Sequence, residues 1–322
     1  MGVISSRHPP RQPAIPHGRT ARRLEWTHLP PPIRAAVAQR LGSPVVSAES
    51  QTAGYTPGFA SVLTCADGTR HFVKAASLKA QRPFAEGYRI EAARLRTLPP
   101  TVPAPRLQWL MDTDDWVVLG IEYVEGRQPA RPWTPSDLEA ASAMLVDAAA
   151  ALTPAPGLGL ETFAEEHASM PSLWEAVGPS YPDLPPERVA EAARLALRMP
   201  EATAGETLVH LDVRDDNLLI TPEGRVYLCD WNWPVRGAAW IDSLALLIGP
   251  RGDGLDVERH LAAHPLLAPV PPDDVDTVLA LLAGYFLYSA TLPVPTTSPY
   301  LREGARWQGE VCWDWLSERR AW

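Results

Sequence analysis

The sequence contains little of what disulfide-bonded, zinc-binding or membrane-spanning proteins require. Its three cysteines, at 65, 229 and 312, are too few and too scattered for a disulfide framework or a zinc site. The longest apolar run, at 279–294, is shorter than the roughly 20 residues that span a bilayer, and it predicts a buried helix instead. The first residues contain no apolar signal core. We therefore expect a cytoplasmic protein that does not enter a membrane.

An excess of positive charge is also missing. The formal net charge is −9 at pH 7, so no basic field would attract a nucleic acid, and we expect none as a partner. The acidic balance is compatible with a cationic ligand, although most acidic surfaces are simply solvated. At 322 residues, 46% of them hydrophobic, the chain can bury a sizeable core as one domain or as two lobes.

Lysine and asparagine are scarce. Lys74 and Lys79 are the only lysines among 29 basic residues, and asparagine occurs only at positions 217 and 232. In a chain that otherwise uses arginine, a remaining lysine is a candidate for chemistry that a guanidinium cannot perform. The same argument applies to the two asparagines.

The order of the predicted elements favours an α+β protein. Residues 1–24, rich in Pro, Arg and Ser, are expected to form a flexible tail. Strands are predicted at 44–50, 59–65, 69–75 and 115–126, with helices at 29–42 and 84–98. Further helices are predicted at 134–152, 239–248, 254–264, 272–290 and 302–320, with one or two more in the Pro-rich insert 153–200. We therefore expect a small sheet lobe over residues 25–125 and a larger helical lobe over 126–322.

The stretch LVHLDVRDDNLLI, residues 208–220, places charged side chains between two apolar flanks. Its end reads as the first strand of a hairpin that turns at TPEGR. In such a hairpin the start of the first strand lies beside the end of the second, which brings Asn217 close to Asp230. Asp212 lies on the loop that leads in. An amide oxygen and nearby carboxylates suit a Mg²⁺ ion that takes its other ligands from water and phosphates.

The order His210-x-Asp212, four residues, Asn217, and then Asp230 resembles the catalytic loop and the metal-binding aspartate of protein kinases. With its helix-rich second half, the chain is most similar to the aminoglycoside phosphotransferase family of small-molecule kinases. This resemblance runs from about residue 45 to residue 290, and it is most specific around the loop.

The resemblance implies a protein-kinase-like fold with an antiparallel-sheet N-lobe and a helical C-lobe. It also implies a Mg²⁺-dependent kinase that moves the γ-phosphoryl group of ATP or GTP to a hydroxyl of a small molecule. Asp212 would be the catalytic residue that orients the acceptor hydroxyl and accepts its proton. Asn217 and Asp230 would hold the metal ion.

Three more residues are assigned supporting roles by the same resemblance. His210 is expected to pack and hydrogen-bond beneath the loop, and Asp242 matches the family's aspartate that braces the loop from the start of a helix. Arg214 would either meet the transferred phosphate or neutralise the two aspartates that follow it. The family usually has glycine where Leu211 stands, a change that alters backbone freedom but removes no functional group.

The first half of the chain offers a nucleotide site. Lys74 stands on a predicted strand after a glycine-containing turn, where the family's phosphate-binding lysine would be. On the helix over 84–98, Glu91 occupies a position of the apolar stripe. Because a buried unpaired carboxylate costs several kcal/mol, Glu91 needs a cationic partner, and the family's Lys–Glu pair makes Lys74 that partner.

Two less specific features complete this site. The turn AGYTPGF contains Gly54 and Gly58, which would let the backbone approach phosphates, although such glycines also occur in ordinary hairpins. The connector of Glu122, Tyr123 and Val124 would hold the nucleobase through backbone groups, as the family's hinge does.

The acceptor is left open by the sequence. The fold and the loop serve aminoglycosides, choline, homoserine, macrolides and other alcohols in this family, and they do not choose among them. An aminoglycoside, another antibiotic and a metabolite alcohol are all candidates. Acidic residues in the second half, such as Glu165, Glu166, Glu310 or Asp314, would suit an amine-bearing acceptor.

Two other interpretations compete with a kinase. A catalytically silent nucleotide-binding or scaffold protein of the same fold need not keep Lys74, Asp212, Asn217 and Asp230 together. A hydrolase with a transition metal on His210, Asp212 and Asp230 leaves the lysine and the asparagine unexplained and predicts more histidines around the site.

Overall fold

The computed structural model describes residues 15–16, 18, 20–157 and 159–322. Most of the tail predicted over residues 1–24 therefore lies outside the described residues. Residues 20–24 are described, and they lie against the loop that joins the first two strands: the Thr20 amide donates to the Thr52 carbonyl at 3.0 Å and the Leu24 amide to the Gly58 carbonyl at 3.0 Å.

The N-lobe is a five-stranded antiparallel sheet with a helix on each face. Its elements are α1 (Pro31–Leu41), β1 (Val45–Ser50), β2 (Phe59–Cys65), β3 (Arg70–Ser77), α2 (Arg82–Thr97), β4 (Leu107–Asp112) and β5 (Trp116–Ile121). The strand order is β1-β2-β3-β5-β4. The tight turn between β2 and β3 forms as its Asp-Gly pair predicts, because Gly68 takes a φ of +84° and the Asp67 carboxylate accepts from the Thr69 amide at 3.0 Å.

Strand β3 lies at the centre of the sheet. Lys74 is paired with Ala60 on β2 and with Leu119 on β5. Its neighbours Val73 and Ala75 are fully buried in the cluster on the α1 side. Since side chains alternate along a strand, Lys74 points to the opposite face, where α2 packs.

Strand β4 was not predicted. It lies at the edge of the sheet and is mostly half-buried, with the burial alternating only weakly along its length. An edge strand needs less apolar character than a central one, so the sequence LQWLMD predicts a strand only weakly. The prolines that precede it weaken the prediction further.

The C-lobe is mainly helical, as predicted. Its helices are α3 (Pro135–Ala151), α4 (Phe163–Glu166), α5 (Trp174–Ser180), α6 (Pro186–Ala196) and α7 (Met199–Ala202), followed after the central strands by α8 (Ile241–Leu246), α9 (Ile248–Gly252), α10 (Val257–Ala263), α11 (Pro272–Thr291) and α12 (Leu301–Arg319). The apolar run at 279–294 begins inside α11, which packs along α12 and is largely buried. No helix among the described residues is long and apolar enough to cross a membrane.

The helix predicted over 239–248 is interrupted, and the insert 153–200 holds more and shorter helices than expected. Helix α8 ends at Leu246 and α9 begins at Ile248. Pro250 explains the break, because it has no amide hydrogen for the Leu246 carbonyl four residues earlier and its ring crowds that position.

The charged stretch 208–220 begins and ends in two small antiparallel strand pairs. They are formed by β6 (Thr207–Val209) with β9 (Val235–Gly237), and by β7 (Leu218–Ile220) with β8 (Val226–Leu228). The second pair is the predicted hairpin, with Ile220 opposite Val226. At its open end the Cys229 amide donates to the Asn217 carbonyl at 2.8 Å, which places Asp230 directly beyond.

Candidate active site

A cleft of about 290 Å³ runs between the sheet and the central hairpin. Its walls include Lys74 and Glu91 from the N-lobe and Asn217 and Asp230 from the C-lobe. Residues that the sequence placed in one site therefore face the same space, although they come from distant parts of the chain.

Lys74 is held between two carboxylates. Its Nζ lies 2.7 and 2.9 Å from the two Glu91 oxygens and 2.8 Å from Asp230 Oδ1. Only 8% of Lys74 and 1% of Glu91 are exposed, so the apolar-stripe position of Glu91 is buried and has the cationic partner it requires. One ammonium between two carboxylates leaves a net charge of −1, which favours a further cation at this end of the cleft.

The ionisation of this cluster follows from its geometry. Burial alone lowers the pKa of Lys74, but the charges of Asp230 and Glu91 outweigh burial and raise the pKa well above its usual value. Burial also opposes ionisation of Asp230, yet the Lys74 ammonium dominates and lowers the pKa of Asp230 to about 2. Lysine and aspartate are therefore both charged at neutral pH.

Asn232 also contacts Asp230, and sequence reasoning gave it no role. Its Nδ2 donates to Asp230 Oδ1 at 2.6 Å, while its own Oδ1 is buried and has no hydrogen-bond donor among the described residues. Asp230 takes a φ of +68°, a conformation that few non-glycine residues adopt. The scarcity of asparagine in this chain was the available signal for Asn232.

Asp212 and Asn217 are in direct contact on the loop. Asn217 Nδ2 donates to Asp212 Oδ2 and to the Asp212 carbonyl, both at 2.8 Å. This leaves the Asn217 amide oxygen, a hard ligand, without a protein donor in the described part of the chain. Burial raises the pKa of Asp212 above its usual value, against the opposing charge of Arg214.

Arg214 binds the loop's own carboxylates. It pairs with Asp212 Oδ1, and its Nε lies 2.9 Å from Asp216 Oδ1. Asp215 pairs instead with Arg131, whose Nη2 lies 2.6 Å from Asp215 Oδ1. Of the two aspartates that we expected Arg214 to neutralise, only Asp216 has it as a partner, because Asp215 is paired with Arg131.

The loop is fixed from below by His210 and Asp242. The two Asp242 oxygens accept from the His210 amide at 2.7 Å and the Leu211 amide at 2.9 Å. His210 Nε2 lies 2.9 Å from the Cys229 carbonyl and its Nδ1 accepts from the Asp212 amide at 3.2 Å. Burial lowers the pKa of His210, in keeping with a neutral ring whose two nitrogens are both occupied.

Leu211 stands in a left-handed conformation with a φ of +66°. Glycine adopts this conformation freely, whereas a side chain costs roughly 1–2 kcal/mol there. The paired hydrogen bonds to Asp242 hold the backbone in place, so the leucine is accommodated with local strain.

The glycine-containing turn contributes only in part to the cleft. Gly54, with a φ of +84°, belongs to its wall. Gly58 is not part of that wall; a Cβ there would lie 3.1 Å from the Tyr88 hydroxyl and 3.3 Å from the Ala75 carbonyl. Gly58 therefore makes room for α2 to pack on the sheet.

The connector lies at the other end of the cleft. Glu122, Tyr123 and Val124 all line it. The Glu122 amide donates to the Arg106 carbonyl at 2.8 Å, and its carboxylate accepts from the Arg106 amide at 3.0 Å. The Tyr123 ring lies under the Arg70 guanidinium at 4.2 Å. Both side chains are thus engaged by the protein, which leaves backbone groups for a ligand.

Two of the acidic residues expected on the acceptor side have local roles. Glu165 caps its own short helix, accepting from the Thr162 amide at 2.8 Å, and Glu166 interacts with Glu161 at the surface. Tyr285 is 45% exposed, and burial together with the charge of Asp212 raises the pKa of its hydroxyl, against the opposing charge of Arg302.

The described residues give no support to a transition-metal centre. No group of three His, Cys, Asp or Glu side chains among them could hold a metal ion. Both nitrogens of His210 are used within the protein, so the ligand set of the hydrolase interpretation does not assemble.

Comparison with solved structures finds the same fold in several small-molecule kinases. A thermostable mutant of the aminoglycoside phosphotransferase APH(4)-Ia, in its apo form, is 16% identical, with a TM-score of 0.62 over 89% of this chain and 99% of that chain. Choline kinase LicA from Streptococcus pneumoniae is 15% identical, with a TM-score of 0.57 over 90% and 97%. A macrolide 2′-phosphotransferase of type I is 16% identical, with a TM-score of 0.55 over 87% and 94%. These likenesses confirm the kinase-like two-lobe fold.

Sequence comparison identifies the family. A search of curated proteins finds no match. Residues 60–270, well over half of the chain, match the phosphotransferase enzyme family, designated APH. That match spans the lysine, the helix with Glu91, the central loop and Asp230, and it confirms both the predicted family and the predicted class of enzyme. The chain belongs to the phosphotransferase enzyme family.

Proposed function

We propose that the protein transfers the γ-phosphoryl group of ATP or GTP to a hydroxyl of a small molecule, with Mg²⁺ as the metal ion. The observation that carries the proposal is the meeting of Lys74, Glu91 and Asp230 in one cleft, beside Asp212 and Asn217. Phosphoryl transfer depends on positioning and on charge neutralisation, and these five side chains provide both.

The cleft binds the nucleotide between the two lobes. Backbone groups of Glu122–Val124 hold the base, and Lys74 contacts the phosphates as a compact positive charge. Glu91 fixes the ammonium, so its position is set before the nucleotide arrives. Such preorganisation lowers the entropic cost of binding.

The residues present fit a magnesium ion. Asp230 and the free amide oxygen of Asn217 are hard oxygen ligands at adjoining strand ends, and too few in number to enclose an ion without phosphates and water. A bound Mg²⁺ would neutralise charge on the phosphate oxygens. The net negative charge of the Lys74–Glu91–Asp230 cluster favours a cation there.

Asp212 acts on the acceptor. Asn217 orients one of its oxygens, and the other, now paired with Arg214, is the one available to an incoming hydroxyl once that arginine moves. The carboxylate positions the hydroxyl and takes its proton late in transfer. Arg214, when released, is placed to meet the transferred phosphoryl group.

The acceptor is proposed as a small-molecule alcohol, with antibiotics among the candidates. Solved structures of this fold include a complex of a thermostable APH(4)-Ia mutant with ADP and hygromycin B, a choline kinase and a macrolide 2′-phosphotransferase. In this chain the exposed rings of Tyr285 and Trp233 lie on the C-lobe, and Tyr285 is within the electrostatic reach of Asp212.

A screen of ATP consumption tests the function. The protein with Mg²⁺ would be offered aminoglycosides, peptides, macrolides and primary alcohols, and turnover above the ATP-only rate should appear with at least one class. If no class is turned over and ATP with Mg²⁺ gives no thermal stabilisation, the proposal is wrong and a scaffold protein becomes the better interpretation. Stabilisation without turnover would point to a silent nucleotide-binding protein.

A further inference from the structure

Residues 20–24 link the loop after β1 to the C-lobe. The Thr20 hydroxyl donates to the Gly54 carbonyl at 2.6 Å, and the Leu24 amide donates to the Gly58 carbonyl at 3.0 Å. On the other side the Arg22 amide donates to the Thr297 carbonyl at 2.8 Å. These hydrogen bonds fix the backbone on both sides of Arg23.

The Arg23 side chain lines the nucleotide cleft. Its Nη2 donates to the Ala53 carbonyl at 2.9 Å and lies 3.4 Å from the point where a Cβ on Gly54 would stand. Its Nε is buried and has no acceptor among the described residues. A guanidinium carries five N–H donors, so a single hydrogen bond leaves most of its binding capacity unused.

Arg23 differs from the other cationic side chains that line the cleft in the partners of its charge. Lys74 is paired with Glu91 and Asp230. Arg70 lies over the Tyr123 ring. Arg23 has no carboxylate partner within the described residues. Burial raises the pKa of Glu91, and the positive charges of Lys74 and Arg23 oppose that rise, so the field of Arg23 reaches the Lys74–Glu91 pair.

We propose that Arg23 binds a phosphate group of the nucleotide. The inference rests on the proposed function. A planar guanidinium with unused parallel N–H groups matches phosphate oxygens in pairs. Carboxylates such as Asp216 line the same cleft, but none among the described residues forms a salt bridge with Arg23. The phosphate chain of the nucleotide has the negative charge and the oxygen atoms that the unused N–H donors of Arg23 can bind.

Binding of ATP and of adenosine to the full chain, measured by calorimetry with Mg²⁺, tests the proposal. Arg23→Gln should weaken ATP binding at least about tenfold and leave adenosine binding within about twofold, because only ATP carries the phosphates. Arg22→Gln is the matched control: its exposed side chain should matter to neither ligand. Arg23→Lys keeps the charge without the fork, and it should weaken ATP binding less than Arg23→Gln does.

The ratio of the ATP affinity to the adenosine affinity distinguishes phosphate binding by Arg23 from a purely structural role. If Arg23 only tethers the loop through Ala53, either adenosine affinity should fall with ATP affinity, or Arg23→Lys, whose ammonium can still donate to the Ala53 carbonyl, should bind ATP as tightly as the unaltered protein. Either result would overturn the inference. An unchanged ATP affinity in both Arg23 variants would overturn it as well. If the unaltered protein binds neither ligand, the proposed function fails too, whereas intact binding with an unchanged ratio overturns this inference alone. Should Arg23→Gln not fold, the same ratio in Arg23→Lys decides.

Discussion

The ammonium of Lys74 lies 2.8 Å from the carboxylate of Asp230, although 156 residues separate them in the chain. Lys74 comes from the central strand of the N-lobe sheet and Asp230 from the end of the C-lobe hairpin. Their contact joins the two lobes at the cleft, and it sets the distance between the lysine that we propose to bind phosphate and the proposed metal ligand.

Replacing Lys74 by arginine should remove most phosphoryl transfer. Three carboxylate oxygens lie within 2.9 Å of Nζ, and a flat guanidinium cannot occupy the centre of that arrangement. We expect kcat/KM to fall at least about 100-fold, the scale of losing a positioned charge at a reacting group. Lys79→Arg is the control: it exchanges an exposed cation paired with Asp115, and its kcat/KM should be unchanged. Equal activity of the two variants would contradict the role of Lys74.

Replacing Asp212 by alanine should abolish transfer while nucleotide binding persists. A positioned general base contributes about 100- to 10,000-fold, so kcat should fall by at least about 100-fold. Thermal stabilisation by ATP with Mg²⁺ should survive, since Lys74 and Asp230 are untouched. Asp114→Asn, an exposed substitution, serves as the control. Near-normal turnover in Asp212→Ala would remove the proposed catalytic role.

Asp230 should contribute pH-dependent stability. Its pKa is lowered to about 2 in the folded protein, so its stabilisation is present above the unfolded value near 4 and is lost as the pH falls toward 2. Asp230→Asn should lower the free energy of unfolding by about 2 kcal/mol at neutral pH, and by clearly less near pH 3. Urea unfolding of both proteins in EDTA, at the two pH values, measures this. A deficit that does not shrink at low pH would contradict the ion pair with Lys74.

The Leu211→Gly variant should be more stable than the Leu211→Ala variant, whereas at most positions alanine gives the more stable protein. The φ of +66° strains any side chain, so Leu211→Gly relieves strain that Leu211→Ala retains, and both lose the leucine's packing. We expect Leu211→Gly to exceed Leu211→Ala by about 1 kcal/mol in the free energy of unfolding by urea. Should alanine match or exceed glycine, the loop backbone must relax away from the left-handed conformation.

Much of the fold could be predicted because the pattern and the packing agree. The hairpin register followed from the apolar strands around TPEGR, and the buried position of Glu91 followed from the stripe of α2. Edge strand β4 could not be predicted, because a strand with one neighbour carries weak alternation. The break before α9 depended on one proline, whose effect on the preceding turn a helical period does not reveal.

Arg23 could not be identified from sequence for a different reason. The composition of the first 24 residues is that of a tail, and residues 20–24 are fixed by backbone hydrogen bonds to carbonyls more than 30 residues away. Backbone pairing of this kind leaves no trace in side-chain periodicity. Asn232 is the intermediate case: its rarity marked it, but its partner Asp230 could be found only in three dimensions.

The hydrogen bonds that residues 20–24 form with two separate regions matter for anyone preparing this protein. A recombinant version trimmed to begin at Glu25, a natural choice on composition alone, would discard Arg23 together with the bonds from Thr20 to Gly54 and from Arg22 to Thr297. If Arg23 binds phosphate as proposed, the trimmed enzyme should show a higher KM for ATP than a protein that retains residues 20–24.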